Sequence, residues 1–218
     1  MRAKLRLDLV SDVVCPWCVV GLRGLEIALA EVADVVEPEL TLHPFELNPD
    51  MTPEGEPIGE HVRRKYGATP EASAANRTRI AEQAAAVGFT MNMGEASRIR
   101  NTFDAHRLLE WAREQGRQLE LKHALLTAHF TDNRDIADRA VLAEIAAGIG
   151  LPGAADLLAS DAYSRDVRTE EARWRAEGIT AVPTLIIEDK WIIAGAHPPA
   201  AYAQALRRLA AEVQSVSA

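Results

Sequence analysis

Cys15 and Cys18 are the only cysteines among 218 residues, and they stand in the run Ser11-Asp12-Val13-Val14-Cys15-Pro16-Trp17-Cys18. A Cys-x-x-Cys between an apolar run and a helical segment is a thiol redox signature. The start of a helix offers unpaired N–H groups and the positive end of the dipole, both of which favour a thiolate. The thiolate is the nucleophile in disulfide exchange. A free thiol titrates near pH ~8.5, and such a position lowers that to roughly 3.5–7.5. Cys15 lies nearer the free N–H groups and is the expected nucleophile. Cys18 lies one turn on and is the expected resolving thiol. The competing readings are a pair of inert buried thiols or half of a zinc site. A zinc site needs two more ligands with spacing of their own. The six histidines supply no such pair, so no metal is expected.

A second segment, Thr180-Ala181-Val182-Pro183-Thr184, places a proline at the opening of a strand, where its missing N–H is tolerated. A trans proline is the ordinary outcome there. In a thioredoxin-like fold this position is instead a cis proline facing the Cys-x-x-Cys. The backbone of Val182 then pairs with an extended substrate chain.

The elements that must position these groups follow from periodicity. Lys4 to Val10 alternates as a strand, and Pro16 to about Val32 reads as a helix with proline in its first turn. Gly21 and Gly24 lower the propensity of that helix and permit close packing against it. Glu39 to Leu47 reads as a second strand stopped by Asn48-Pro49. From about Met51 to Gly178 helix signals dominate: a start at Thr69-Pro70-Glu71 with a stop at Gly88, then helices from Thr102 to Gln115, Gln118 to Phe130 and Asp138 to Ile149, and short ones after Pro152 and Asp161. Thr184 to Ile187 and Trp191 to Ala194 form a hairpin, and Ala200 to Val213 is a closing helix. This order is that of an α/β thioredoxin fold, a mixed central sheet with an inserted all-helical domain. Residues 1–50 and 179–218 form the thioredoxin-like part. Residues 51–178 form the insertion with its connecting helix.

Composition narrows the class. A net charge of −8 disfavours nucleic acid as a partner. No apolar run approaches the ~20 residues that span a bilayer, and the charged start Met1 to Leu9 does not read as a signal peptide. A cytoplasmic protein with no membrane partner is expected. Close cysteines in that reducing compartment point to catalysis.

The motifs Asp12 to Cys18 with Gly21, Pro44-Phe45-Glu46-Leu47-Asn48-Pro49, Asn101-Thr102 with Ala105-His106-Arg107-Leu108, Val182-Pro183-Thr184, and Gly195-Ala196-His197-Pro198-Pro199 run across nearly the whole chain. In these the sequence resembles the DsbA-family thioredoxin-fold oxidoreductases, most closely their cytoplasmic FrnE-like branch. The resemblance implies thiol–disulfide exchange, of the protein disulfide isomerase kind, on protein or small-molecule disulfides or thiols. It implies no bound cofactor, with glutathione or another thiol as redox co-substrate. Some members carry a second cysteine pair nearer the C-terminus, which this chain lacks.

Around the pair, Pro16, Trp17, Val182 and Pro183 are the expected loop and substrate contacts, with Trp17 exposed. His106 and Asn101 match the family motif, and His106 would favour the Cys15 thiolate. The bland alternative is a helix-start Asn and a structural His. Asp12 would tune the pair or accept a proton, or else serve as a turn residue. Trp111, Trp174 and Trp191 read as core or interface, and Arg63-Arg64-Lys65 as a solvated face. His43, His61, His123 and His129 take no role, and His197 borders the site only weakly. Two other functions compete. One is a glutathione-dependent transferase or isomerase of the kappa-class or 2-hydroxychromene-2-carboxylate isomerase type, which commonly has Ser in place of Cys15. The other is a non-enzymatic peptide-binding chaperone. The sequence carries no signal for oligomeric state.

Overall fold

Alternation of Lys4, Arg6 and Asp8 with Leu5, Leu7 and Leu9 becomes a nine-residue strand, β1 (Ala3–Ser11), whose three leucines are buried. The computed structural model describes residues 2–95 and 97–216. Helix α1 (Pro16–Glu31) carries the chain over to β2 (Val36–Pro44), which pairs in parallel with β1, Ala3 opposite Val36 and Ser11 opposite Pro44. After the insertion, β5 (Thr184–Ile187) pairs antiparallel with β1 and β6 (Trp191–Ala194) antiparallel with β5. The resulting order β2-β1-β5-β6 is the expected mixed sheet, closed by α9 (Pro199–Val216).

The second strand lies three residues earlier than Glu39–Leu47. β2 is an edge strand, where Pro38 is tolerated, so the strand begins before it. Its expected end leaves the sheet because other partners compete for it. Phe45 packs with Val10, Trp174, Ile179 and Ile186. The Glu46 N–H donates to Glu171 at 2.7 Å and the Leu47 N–H to Asp12 at 2.8 Å.

The insertion holds α2 (Ile58–Tyr66), α3 (Pro70–Ala86), α4 (Phe103–Glu114), α5 (Gln118–Phe130), α6 (Arg139–Gly148), α7 (Ala154–Ala159) and α8 (Ser164–Ala176). α3 starts as its sequence dictates, with Thr69 accepting the Ala72 N–H and Pro70 in the first turn. Between the helices, β3 (Glu56–Pro57) and β4 (Arg98–Ile99) form an antiparallel ribbon. Two residues per strand carry no period, so the helix signals of this region gave no hint of it. α8, with thirteen residues, is longer than the short helix expected after Asp161.

Two larger cores matter for the site. One lies between the sheet, α1 and α9, and takes in Leu126 and Phe130 of α5. The other lies among α4, α5, α6 and α7, and into it insert Val13 and Val14, the two residues before Cys15. The loop that delivers the first cysteine is therefore anchored in the helical layer.

Candidate dithiol site

Val13 and Val14 are buried in the helical core, which fixes the turn that places Cys15 as N-cap of α1. Cys15 has extended backbone (φ −89°, ψ 112°), and Pro16 begins the helix. The Cys18 N–H donates back to the Cys15 carbonyl at 3.0 Å. The first turn carries no acidic residue, so nothing there opposes a negative sulfur. Cys15 and Cys18 are free thiols that approach to 3.3 Å. Cys15 is 4% exposed and Cys18 fully buried. The Cys15 Sγ donates to the Val182 carbonyl at 3.5 Å.

The Val182–Pro183 bond is cis. The Pro183 carbonyl accepts the Gly195 N–H at 2.8 Å, which ties this turn to the loop ending in His197-Pro198-Pro199. The Pro183 ring also lies on α1: a Cβ on Gly21 would stand 2.8 Å from its Cγ. Gly21 is the small residue that this approach requires.

Beneath the cysteines lies a buried charge layer. Asp12 is fully buried; its Oδ2 accepts the Leu47 N–H at 2.8 Å and its Oδ1 lies 3.2 Å from His106 Nε2. Burial works against this carboxylate, but the His106 contact, the Leu47 N–H and Lys122 outweigh it and hold its pKa below the usual range. Lys122 comes from α5, is 1% exposed, and donates from Nζ to Ser11 Oγ at 2.9 Å. Among the described residues no carboxylate oxygen lies within 4 Å of it. Burial pulls its pKa down, against the attraction of Cys18, Asp12 and Cys15. The Cys18 thiol is pushed well up by burial and by the adjacent Cys15 sulfur, with Lys122 and the Asp12 backbone pulling the other way. Cys18 therefore keeps its proton at neutral pH in the dithiol form.

The sequence-predicted residues divide. Cys15, Cys18, Pro16, Val182 and Pro183 come together as one turn-and-helix cluster. Asp12 and His106 lie under it, and the His106 ring meets Asp12 rather than a sulfur. Asn101 stands apart: its side chain donates to the Met51 carbonyl and accepts the Phe103 N–H, each at 3.0 Å, which ties a loop to the start of α4. Trp17 is half-buried, not exposed, because the Arg79 guanidinium covers its ring at 5.3 Å from the centroid. His43 has partners after all, Asp8 at 2.8 Å and Glu170 at 3.0 Å, and buttresses the sheet against α8. His197 bonds to the Ala194 carbonyl at 3.0 Å. Lys122 and Ser11 were missed. A lysine in a helical pattern reads as a solvated residue, and no local signal marks this one as buried.

A parallel β–α–β unit, an antiparallel hairpin and a dithiol at a helix start define a thioredoxin-fold protein. The match to the DSBA-like thioredoxin domain model over residues 6–207 places the chain in that family. The uncharacterized protein YwbO of Bacillus subtilis (strain 168) is 30% identical over 193 residues, covering 87% of this chain and 90% of YwbO. The crystal structure of the probable DsbA oxidoreductase SCO1869 from Streptomyces coelicolor superposes with a TM-score of 0.87 at 34% identity, over 94% of this chain and 89% of that one. The cytosolic disulfide reductase DsbM from Pseudomonas aeruginosa, solved with GSH, shares the fold at a TM-score of 0.62 and 22% identity, over 96% and 98% of the two chains.

Proposed function

We propose that the protein is a thiol–disulfide oxidoreductase of the FrnE-like branch, working in the cytoplasm on protein or small-molecule disulfides. The observation that carries the reading is the placement of Cys15 as N-cap of α1, 3.3 Å from Cys18 and 3.5 Å from the Val182 carbonyl. The Cys15 thiolate attacks a substrate disulfide, forming a mixed disulfide and releasing one substrate thiolate. Cys18 loses its proton and attacks the Cys15 sulfur, which forms the Cys15–Cys18 bond and releases the second substrate thiolate. Two electrons pass from the pair to the substrate, and the reverse steps oxidise a substrate dithiol. The backbone at Val182 aligns the substrate chain beside Cys15. Two molecules of a low-mass thiol such as glutathione return the pair to the dithiol and leave joined as their own disulfide, a reading that the structure of DsbM with GSH supports. The cytosolic setting named for that fold neighbour supports the compartment. Residues 1–50 with 179–218 supply the dithiol and the proline turn. Residues 51–178 roof them.

The isomerase or transferase alternative needs one nucleophile and leaves the second cysteine idle. Two free thiols within 3.3 Å favour redox cycling instead. The test is insulin-disulfide reduction by wild type, Cys15→Ser and Cys18→Ser. Cys15→Ser is expected to abolish turnover, and Cys18→Ser to accumulate a Cys15 mixed disulfide visible by mass. Full turnover by Cys15→Ser refutes the proposal.

A further inference from the structure

The chain is acidic, with a net charge of −8, yet α2 and α3 carry five basic and three acidic side chains. Most arginines elsewhere are paired with carboxylates, as Arg113 is with Glu110 and Arg139 with Asp104. Among the described residues, Arg64 is the one arginine of α2 and α3 so paired, with Glu56. Among the described residues no carboxylate oxygen lies within 4 Å of Arg63, Lys65, Arg77 or Arg79. Lys65 donates to the Leu47 carbonyl and Asn48 Oδ1, Arg77 to Ser73, and Arg79 to Asn76. Glu60 and Glu95 share a cleft of about 280 Å³ with Arg63 and Arg77 but do not reach them.

Two of these cations border the cysteines. Arg79 lies over the ring of Trp17, inside the Cys15–Cys18 loop, because α3 packs on α1. Lys65 is bound to the carbonyl of Leu47, whose N–H is held by Asp12. Beside it Tyr66 is 65% exposed, with the Lys65 ammonium 5.7 Å from its ring centroid. Burial of one flank and the Cys15 charge both raise the pKa of that phenol. Contact with a ring face leaves a cation's charge available to a third group.

We propose that Lys65 and Arg79, with the faces of Tyr66 and Trp17, form a cationic lip that selects polypeptide substrates bearing acidic residues beside the reacting cysteines. The proposal rests on the redox reading above. Unpaired cations at the mouth of an otherwise acidic protein concentrate anionic chains there, and salt screens the effect.

The test uses synthetic peptides with one intramolecular disulfide, identical except for flanking Glu, Gln or Lys pairs. Each is mixed with the reduced full-length protein, and the second-order rate of disulfide loss is measured at about 0.02 M and about 0.5 M salt. The expected order is Glu, then Gln, then Lys, spread about tenfold at low salt and under about twofold at high salt. The double variant Lys65→Glu/Arg79→Glu is expected to invert the order. Equal rates in wild type at low salt, or an order unchanged in the double variant, overturn the lip while leaving the redox reading intact. No reaction with any peptide or with neutral bis(2-hydroxyethyl) disulfide overturns the redox reading, and the lip with it.

Discussion

The ammonium of Lys122 donates to the hydroxyl of Ser11 at 2.9 Å, a contact 111 residues apart in sequence that carries a charge from the helical insertion to the sheet beneath Cys18. In the proposed exchange the Cys18 thiol, held protonated by burial, ionises to resolve the mixed disulfide, and the Lys122 charge favours the thiolate that then forms. Lys122→Met keeps the length of the side chain and removes the charge. The change also takes a favourable charge from buried Asp12 and a donor from Ser11, so some loss of melting temperature is expected whatever the role of Lys122. The variant's mixed disulfide is expected to decay about tenfold more slowly at pH 7, with the midpoint of the decay's pH profile moved upward. Stopped-flow release of a reporter thiol measures both. A purely structural lysine would move the melting temperature and leave the profile in place.

Asp12 and His106 predict a pH-dependent stability. The folded-state pKa of Asp12 lies below its ordinary 3.8, so the group contributes stability that is present above that value and lost as pH falls through the folded value. His106→Leu leaves the buried carboxylate without its main partner. A loss on the order of 3 kcal/mol is expected at pH 7, shrinking below about pH 4 as Asp12 protonates. Urea unfolding of both proteins at the two pH values checks the size and the sign.

The candidate site was legible where it is contiguous. Cys15 to Cys18 and Val182-Pro183 each fit within a few residues, and the turn and helix they require are local. The sheet elements were legible because β1 alternates over its first half and the short apolar runs of β5 and β6 are divided by the turn Glu188-Asp189-Lys190. What escaped is what depends on pairing across the insertion. Lys122 stands 111 residues from Ser11, and only the seating of Val13 and Val14 among α4 to α7 brings it under that strand end and Asp12. The exposure expected of Trp17 failed for the same reason, since Arg79 reaches it from α3. The second strand shifted because Phe45 to Leu47 have partners in α8 and in Asp12 that no reading of local alternation includes.

Glu46 supplies a second pH signature. Its Oε2 pairs with Arg168, while its buried Oε1 has no hydrogen-bond partner among the described residues. Burial and the neighbouring Glu171 charge, against the pull of Arg168, raise its pKa from 4.5 to about 7. A raised folded-state value contributes stability that is fully present below pH 4.5 and lost as pH rises through about 7. Glu46→Gln cannot ionise. Relative to wild type it is expected to gain about 2 to 3 kcal/mol between pH 4.5 and pH 8, measured by urea unfolding across that range. A difference that stays flat across the range contradicts the assignment.

Gly21 is where the helix meets the proline turn. A Cβ there would stand 2.8 Å from Pro183 Cγ, closer than carbon atoms tolerate, so the ring must move. Pro183 is joined to Val182, whose carbonyl lies 3.5 Å from the Cys15 sulfur, and a displaced ring carries that carbonyl with it. Gly21→Ala gains helix propensity of about 1 kcal/mol, which offsets much of an overpacking cost of about 1–3 kcal/mol. The expected result is a small change in stability with a fall of about tenfold or more in disulfide-exchange rate. Gly24, one turn further along α1, is the control. Its Cβ would meet the His197 carbonyl at 3.0 Å and not the Pro183 ring. Gly24→Ala is therefore expected to shift the melting temperature by a few degrees and leave the exchange rate near wild type. Parallel melting curves and insulin-reduction rates for the two variants separate a contact that shapes the site from one that only packs the helix.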